Sequence, residues 1–195
     1  MKRPAVFIDR DGTINEQMGY INHISRFVMF PWSAEAIRLL NTHQYLAIVV
    51  SNQSGVARGY YPIDLVEEVH NHMRLLLKKE NAFVDAIFFC PHYPRGNVPE
   101  YSIECNCRKP RTGQIKAACE AFDIDMDNSY VVGDRYSDIE LAIRSGLKSV
   151  LVTTGYGLGD INYVFPGLSF RPDHVVKDLL EATHWIIGKE TGAEF

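Results

Sequence analysis

Acidic, hydroxyl and basic residues cluster in four short segments of this 195-residue chain. The segments are Asp9-Arg10-Asp11-Gly12-Thr13, Ser51-Asn52-Gln53-Ser54-Gly55, Cys107-Arg108-Lys109-Pro110 and Gly133-Asp134-Arg135-Tyr136-Ser137-Asp138. All but the third directly follow apolar runs typical of buried β-strands. In open α/β sheets, ligands bind outside the carboxyl ends of the strands, near the point where the strand order reverses. We therefore expect these segments to meet at one ligand-binding edge.

The carboxylates of the first segment predict a cation site. Side chains alternate along a strand, so Asp9 and Asp11 can point into one cleft, while Gly12 lets the backbone turn sharply. Two like charges this close need a cation. Mg²⁺ held by these carboxylates and by Asp134 would neutralise them and shield the approach of an anionic phosphate.

The remaining polar residues favour phosphoryl transfer. Ser51 can donate a hydroxyl hydrogen bond, and Lys109 an ammonium, to phosphoryl oxygens in the transition state. By themselves, Asp9 and Asp11 are equally well explained as turn formers after a strand. The agreement of four elements in their order and position favours the catalytic interpretation.

A second set of residues predicts a structural zinc site. Cys90, His92, Cys105 and Cys107 supply three thiolates and one imidazole, a closed set suited to tetrahedral Zn²⁺ that would tie the loop of about residues 90–107. The spacing differs from the usual C-x-x-C knuckle. The alternative is that Cys90 ends a buried strand as a small hydrophobe and His92 is a polar loop residue. Cys119 lies on an apolar helix face, where we expect it to pack.

Apolar runs and helical patterns alternate along the chain, which predicts a mostly parallel sheet. The predicted strands are Ala5–Ile8, Ala47–Val50, Ala86–Phe89, Tyr130–Val132, Ser149–Val152 and an edge strand His174–Val176. The predicted helices are Ser33 (as N-cap) to about His43, a box-like start at Asp64 and Glu67 running to Lys79, Ile115–Phe122, Ser137–Ser145 closed by Gly146, and Leu179–Ile187 before a tail, Gly188–Phe195. We expect one α/β domain over residues 1–195, a Rossmann-like three-layer sandwich with a small flap at Glu16–Phe30 and no large cap domain.

Composition excludes several classes of protein. The chain is 46% hydrophobic and 23% charged, and 20 Lys and Arg against 24 Asp and Glu give a net charge of −4. This charge argues against sequence-independent binding to nucleic acid. No secretion signal is visible, and no apolar run approaches the roughly 18 residues that a membrane span needs. We expect a cytoplasmic monomer with a small-molecule substrate and no nucleic-acid or membrane partner.

Other features carry less chemistry. His70 and His72 stand two apart on a predicted helix and so face different directions, which favours packing or surface roles over metal ligation. Gly155–Gly159 lacks the G-x-G-x-x-G spacing of a dinucleotide site, and we interpret it as a mobile loop.

The catalytic segments together resemble the haloacid dehalogenase superfamily of aspartate-nucleophile phosphatases, whose pattern is D-x-D-x-T, then Ser or Thr, then Lys, then an acidic pair. The resemblance implies that Asp9 attacks phosphorus, that Asp11 protonates the leaving oxygen and later activates water, and that Ser51 and Lys109 hold the phosphoryl group. It also implies Mg²⁺ bound by Asp9, the Asp11 carbonyl and Asp134. Asp138 either orients the metal's water shell or Lys109, or caps its helix.

A narrower resemblance, carried by Asp9–Asn15, Ser51–Gly59, Cys90–His92, Cys105–Pro110 and Val132–Arg135, is to the family of D-glycero-D-manno-heptose 1,7-bisphosphate phosphatases. It implies removal of the C7 phosphate in nucleotide-activated heptose synthesis for surface polysaccharides. The residues it implies for substrate binding are Gln17, Met18, Gly19, Tyr20, Ser51, Asn52, Gln53, Ser54, Arg108, Lys109 and Arg135, with Arg108 at the distal end of the substrate.

Three departures from the family pattern affect substrate choice and anomer preference. The chain has Arg135 where lysine is common, Ser51 where threonine is common, and Arg111-Thr112 where His-Pro is common. Arginine and lysine hold phosphate differently. The alternatives left open are a histidinol-phosphate phosphatase and a non-catalytic, zinc-ordered protein that binds a phospholigand.

Overall fold

A six-stranded sheet with every neighbouring pair parallel forms the centre of the molecule. The computed structural model describes residues 2–191. The strands are β1 (Arg3–Ile8), β2 (Leu46–Asn52), β3 (Ala86–Cys90), β4 (Ile124–Gly133), β5 (Lys148–Val152) and β6 (His174–Val176), in the order β3-β2-β1-β4-β5-β6. The strand order reverses between β1 and β4, which puts the ligand-binding position predicted by this topology beside their carboxyl ends.

Both faces of the sheet are buried, which explains the continuous apolar runs of its strands. Val6 and Ile8 of β1 pack into one core, whereas Ala5 and Phe7 pack into the core on the opposite face. Helices cover each face, so the architecture is the predicted three-layer α/β sandwich. This expectation is confirmed.

The helices are α1 (Ser33–Thr42), α2 (Ile63–Lys79), α3 (Gly113–Ala121), α4 (Tyr136–Ser145), the single turn α5 (Gly157–Gly159) and α6 (Leu179–Thr191). Helices α1, α2 and α6 contribute to the core of one face, and α3 and α4 to that of the other. The predicted C-cap is confirmed, because Gly146 ends α4 in the left-handed region at φ 69°. Residues Gly188–Thr191, expected to begin the tail, instead continue α6, and residues 192–195 lie outside the described part of the chain.

Two predicted helix starts are wrong. The N-cap of α1 is Trp32, and the Ser33 hydroxyl instead donates to the Ile14 carbonyl at 2.7 Å. The N-cap of α2 is Pro62 without a side-chain cap, and Asp64 lies inside the first turn. A carboxylate there is still favourable, since it faces the positive end of the helix dipole.

Strand β4 is longer than predicted, since its first half is largely polar and therefore gave no apolar run to identify it as a strand. Its segment Asp125–Ser129 contains residue types that are rare in strands. The pairing register between β1 and β4 shifts between Pro4 and Val6, and the Ala5 amide donates to the Ser129 hydroxyl at 2.8 Å. The strand thus pairs through an irregularity that apolar periodicity does not reveal.

Two loops rise above the carboxyl edge of the sheet. The flap between β1 and α1 folds back on itself through a bridge of Asn15 with Met29. The loop between β3 and α3 carries His92, Cys105 and Cys107, and Cys90 is the last residue of β3. No large domain is inserted among residues 2–191, and none of the helices in that range is both long and apolar enough to cross a membrane.

Candidate active site

Asp9 and Asp134 lie side by side because β1 and β4 are neighbours. A carboxylate oxygen from each of Asp9, Asp134 and Asp138 can be chosen so that all three lie within 4.8 Å of one another, and the three side chains are buried. Gly12 is needed for this approach, as its φ is +92° and a Cβ there would lie 2.2 Å from Asp134 Oδ2. The expected sharp turn at Gly12 is confirmed.

Lys109 reaches into the centre of this acidic group. Its Nζ lies 2.6 Å from Asp9 Oδ1 and 2.7 Å from Asp138 Oδ1, and it donates to the Val50 carbonyl at 2.9 Å. Burial alone would lower the pKa of Lys109, but the two carboxylates raise it above its usual value. The ammonium therefore stays charged and neutralises part of the carboxylate cluster.

Asp138 contacts Lys109 and also the first turn of its own helix, two of the roles that the sequence left open. One oxygen pairs with Lys109, while the other accepts a hydrogen bond from the Arg135 amide at 3.1 Å at the start of α4. Its position one helical turn after Asp134 permits both contacts, since the two carboxylate oxygens face different partners.

Lys109 alone does not stabilise the ionised forms of all three buried carboxyl groups. Burial, with the neighbouring Asp138 and Asp11 carboxylates, raises the pKa of Asp9 to about 7. Burial and the Asp9 and Asp138 carboxylates raise the pKa of Asp134 to about 9. Asp134 Oδ1 is buried without a hydrogen-bond partner among the described residues, while Oδ2 accepts from the Tyr156 amide at 2.8 Å. These hard oxygen donors and the orphaned buried oxygen fit a divalent cation such as Mg²⁺.

Asp11 is held by a separate set of donors. Arg10 forks onto its carboxylate, with Nη2 at 2.7 Å from Oδ2, and Asn15 and Gln53 donate to it at 3.0 and 2.8 Å. Burial would raise the pKa of Asp11, but Arg10 and these donors lower it below its usual value. Gln53 also donates to the Ser51 hydroxyl at 2.8 Å, which links the first two predicted segments.

A cleft of about 660 Å³ opens above these groups. The predicted substrate-binding residues that line it are Gln17, Gly19, Tyr20, Ser51, Asn52, Gln53, Ser54, Arg108, Lys109 and Arg135. Met18 is not in this lining, and its side chain packs against the main core beneath the flap. The flap and the cysteine loop thus form two walls of one cleft.

The cleft has a cationic rim formed by the predicted Arg108 and by Arg58, which the sequence analysis did not identify. The Arg58 guanidinium lies 3.9 Å from the centroid of the Tyr93 ring, and that of Arg108 lies 5.3 Å from it. Arg58 Nε is buried without a hydrogen-bond partner among residues 2–191. Arg58 lies in a turn between Gly55 and Gly59, and no spacing signal connects it with Tyr93, 35 positions later.

The four predicted zinc ligands converge. The Sγ atoms of Cys90 and Cys107 lie 3.5 and 3.4 Å from that of Cys105, and His92 Nδ1 lies 3.3 Å from Cys107 Sγ. Tetrahedral Zn–S bonds imply S···S separations of about 3.8 Å, close to those distances. Burial raises the pKa of the Cys90 thiol, so a thiolate there needs a nearby cation. The soft donor set fits Zn²⁺. Cys119 lies outside this set, and the expectation that it packs is wrong, because its side chain is exposed.

Comparisons with known proteins agree with this site. The HAD-hydrolase-like family model matches residues 106–182, which contain Lys109, Asp134 and Asp138. The parallel sheet and its carboxylate and lysine cluster are those of a haloacid dehalogenase-like hydrolase.

Relatives narrow the class further. The D-glycero-D-manno-heptose-1,7-bisphosphate 7-phosphatase of Thermosynechococcus vestitus is 40% identical over 190 residues, which cover 95% of this chain and 96% of that protein. The D-glycero-beta-D-manno-heptose-1,7-bisphosphate 7-phosphatase of Escherichia coli (strain K12) is 39% identical over 153 residues, 78% of this chain and 80% of that protein. The chain therefore belongs to the heptose-bisphosphate phosphatase family of the haloacid dehalogenase-like hydrolases, and it is a phosphoric monoester hydrolase.

A solved structure supports the same fold. The D,D-heptose 1,7-bisphosphate phosphatase from B. bronchiseptica, crystallised with magnesium and phosphate, matches with a TM-score of 0.84 at 28% identity. The match covers 95% of this chain and 99% of that chain.

Proposed function

We propose that this enzyme removes the C7 phosphate of D-glycero-D-manno-heptose 1,7-bisphosphate through an aspartyl-phosphate intermediate. The observation that carries the proposal is the convergence of Asp9, Asp134 and Asp138 around Lys109 at the switch point of the sheet. The names of the relatives support the choice of substrate. The product would be the heptose 1-phosphate and inorganic phosphate.

In the first step, an Asp9 oxygen attacks phosphorus while the bond between phosphorus and the sugar oxygen breaks. Asp11, which must bind a proton once the anionic phosphate lies beside it, gives that proton to the departing oxygen, and Lys109 and Ser51 stabilise charge on the phosphoryl oxygens. In the second step, Asp11 takes a proton from water as the water attacks phosphorus, and Asp9 leaves as a carboxylate. The enzyme returns to its starting protonation state after each turnover.

The metal site has a defined role in this proposal. Asp9, the Asp11 carbonyl and Asp134 would hold Mg²⁺, which supplies positive charge that lets an anionic phosphate approach an anionic nucleophile. Lys109 contributes the second positive charge, and Asp138 holds Lys109 against Asp9.

The zinc loop would shape the active site without taking part in the chemistry. Lys109 stands two positions after the ligand Cys107, and Gln114 donates to the Cys107 carbonyl at 2.8 Å while also contacting the Ser51 backbone. A closed Cys₃His site has no open coordination position. Zinc bound there would therefore fix the chain that leads into Arg108 and Lys109.

The remaining phosphate of the substrate needs cations away from Asp9. Arg108 and Arg58 provide guanidinium groups on the rim around Tyr93, and Arg135 adds one beside Tyr156, at 4.5 Å from its ring centroid. Guanidinium groups bind phosphate through paired hydrogen bonds. We also propose a monomeric enzyme in the cytoplasm, where the reducing environment keeps the ligand thiols free.

Substrate assignment is tested by phosphate release with Mg²⁺ from both anomers of the heptose bisphosphate, histidinol phosphate and fructose bisphosphate at matched concentrations. We expect the highest kcat/KM with one heptose anomer, and ³¹P NMR should show loss of the C7 signal alone. A preference for histidinol phosphate, or release of the C1 phosphate, would contradict the proposal.

A further inference from the structure

A buried guanidinium and imidazole pair lies behind Asp11. Arg10 is 1% exposed, and its Nη2 lies 2.7 Å from Asp11 Oδ2 and 3.0 Å from Oδ1, with Nε 3.2 Å from Oδ1. The other terminal nitrogen, Nη1, lies 3.1 Å from Nε2 of His70. His70 is also buried, at 1% exposure. A continuous line of contacts therefore runs from helix α2 to the Asp11 carboxylate.

The direction of the hydrogen bond between Arg10 and His70 is fixed by chemistry. A guanidinium has donors and no acceptor, so His70 Nε2 must accept and the ring must be neutral, with its proton on Nδ1. Burial and the charges of Arg10 and Arg74 lower the pKa of His70 to about 3, in agreement with a neutral ring. The edge-to-face contact with Phe89, at 5.3 Å between centroids, restrains the ring further.

A packing role alone does not account for His70. Its neighbours on the buried face of α2 are the apolar residues Val66, Val69, Met73 and Leu77. An apolar side chain at this position would fill space but leave a buried Arg10 donor without its acceptor, which is unfavourable. The imidazole is the group that satisfies this donor.

We propose that His70 is a positioning residue that acts through Arg10 to align the Asp11 carboxylate with the leaving oxygen of the substrate. The inference rests on the proposed function, since it assigns proton transfer to Asp11. Loss of the His70 acceptor frees the Arg10 guanidinium to rotate, and the carboxylate that it holds shifts with it. A misplacement of about 1 Å at a reacting group can cost 100-fold in rate.

The test measures how the rate depends on the leaving group. Values of kcat/KM are compared for an alkyl phosphate and a series of aryl phosphates of graded leaving-group basicity, because kcat/KM reports the step in which the leaving group departs. A p-nitrophenolate leaves without a proton, whereas an alkoxide needs one. Misalignment of Asp11 should therefore slow poor leaving groups selectively and steepen the dependence on basicity.

The variants separate acceptor loss from structural damage. We expect His70→Leu to lower kcat/KM about 10- to 100-fold for the alkyl phosphate and less than about 3-fold for p-nitrophenyl phosphate. His70→Phe, which keeps a ring beside Phe89, should do the same, while His70→Gln restores an acceptor and should recover most of the rate. His72→Leu is the matched control, because His72 lies on the same helix but packs on the Phe27 ring.

Asp11→Asn distinguishes failure of the inference from failure of the proposed function. Suppose that Asp11→Asn steepens the dependence of kcat/KM on leaving-group basicity, while His70→Leu and His70→Phe do not. In that case His70 has no positioning role. Equal losses across the whole series would likewise overturn the inference. If Asp11→Asn leaves the dependence unchanged, Asp11 is not the proton donor, and both proposals fail.

Discussion

Replacing Lys109 with methionine removes one buried charge while keeping the length of the side chain. Lys109 has 3% of its side chain exposed and contacts two carboxylates, Asp9 and Asp138, at 2.6 and 2.7 Å. Removing one partner of a buried ion pair costs about 3–5 kcal/mol, because the other charge is left uncompensated. Loss of a charged donor to the phosphoryl oxygens should also reduce kcat/KM about 100- to 1000-fold.

The stability loss should depend on pH in a defined direction. The folded-state pKa of Asp9 is already raised to about 7, from an ordinary value of 3.8. A carboxyl group with a raised folded-state pKa stabilises the fold at low pH and loses that contribution as pH rises towards the folded pKa. Without Lys109 the folded-state pKa of Asp9 should rise further, so the pH range over which this contribution is lost extends upward. The deficit of Lys109→Met relative to wild type should therefore be larger at pH 8 than at pH 6, by about 1–3 kcal/mol.

The assay is urea unfolding at both pH values in Mg²⁺-free buffer, with Lys116→Met as the matched control at an exposed lysine. We expect the control to match wild type within about 0.5 kcal/mol. A Lys109→Met deficit that is absent, or larger at pH 6 than at pH 8, would refute the argument that Lys109 compensates buried carboxylates.

Single substitutions separate the roles of the two metal sites and of the cationic rim. In Mg²⁺-free buffer at pH 8, Asp134→Asn should be more stable than wild type by about 2 kcal/mol or more, because it removes a buried carboxyl group whose pKa is raised to about 9. Thermal unfolding should also show that added Mg²⁺ no longer stabilises the variant, and a variant less stable than wild type would contradict this prediction. Elemental analysis should show that Cys105→Ser has lost its bound zinc, and its activity should fall about 10-fold or more, whereas Cys119→Ser should keep wild-type zinc content and activity. Full activity of a zinc-free Cys105→Ser variant would show that the zinc loop does not shape the active site. Arg108→Ala should raise KM for the heptose bisphosphate about 10-fold or more, with little effect on KM for p-nitrophenyl phosphate, both measured by phosphate release. An equal effect on both substrates would show that Arg108 does not recognise the distal phosphate.

The sheet and the convergence of the catalytic segments were predictable because they depend on local patterns. Buried parallel strands give continuous apolar runs, and the topology of such sheets brings the carboxyl ends of β1 and β4 together. Asp9, Asp134 and the cysteines could therefore be placed from position and chemistry alone. The helix starts at Ser33 and Asp64 were mispredicted, because a tertiary contact and a preceding proline changed the local capping pattern.

The contacts behind the site could not be predicted from local patterns. His70 and Arg10 are 60 positions apart, and a histidine on a buried helix face gives no signal of its partner. Arg58 meets Tyr93 only because two loops fold over the same cleft. Asp138 was ambiguous since one carboxylate serves both Lys109 and the start of α4. Such pairs depend on how the layers pack.

The central claim is that Asp9 becomes phosphorylated during turnover. It is tested most directly by rapid acid quench of the Mg²⁺-loaded enzyme with heptose bisphosphate labelled at the C7 phosphate, followed by peptide mapping. We predict label on the peptide that contains Asp9, released by hydroxylamine as expected for an acyl phosphate, and no label on Asp9→Asn. Label on another residue, or undiminished turnover by Asp9→Asn, would contradict the account.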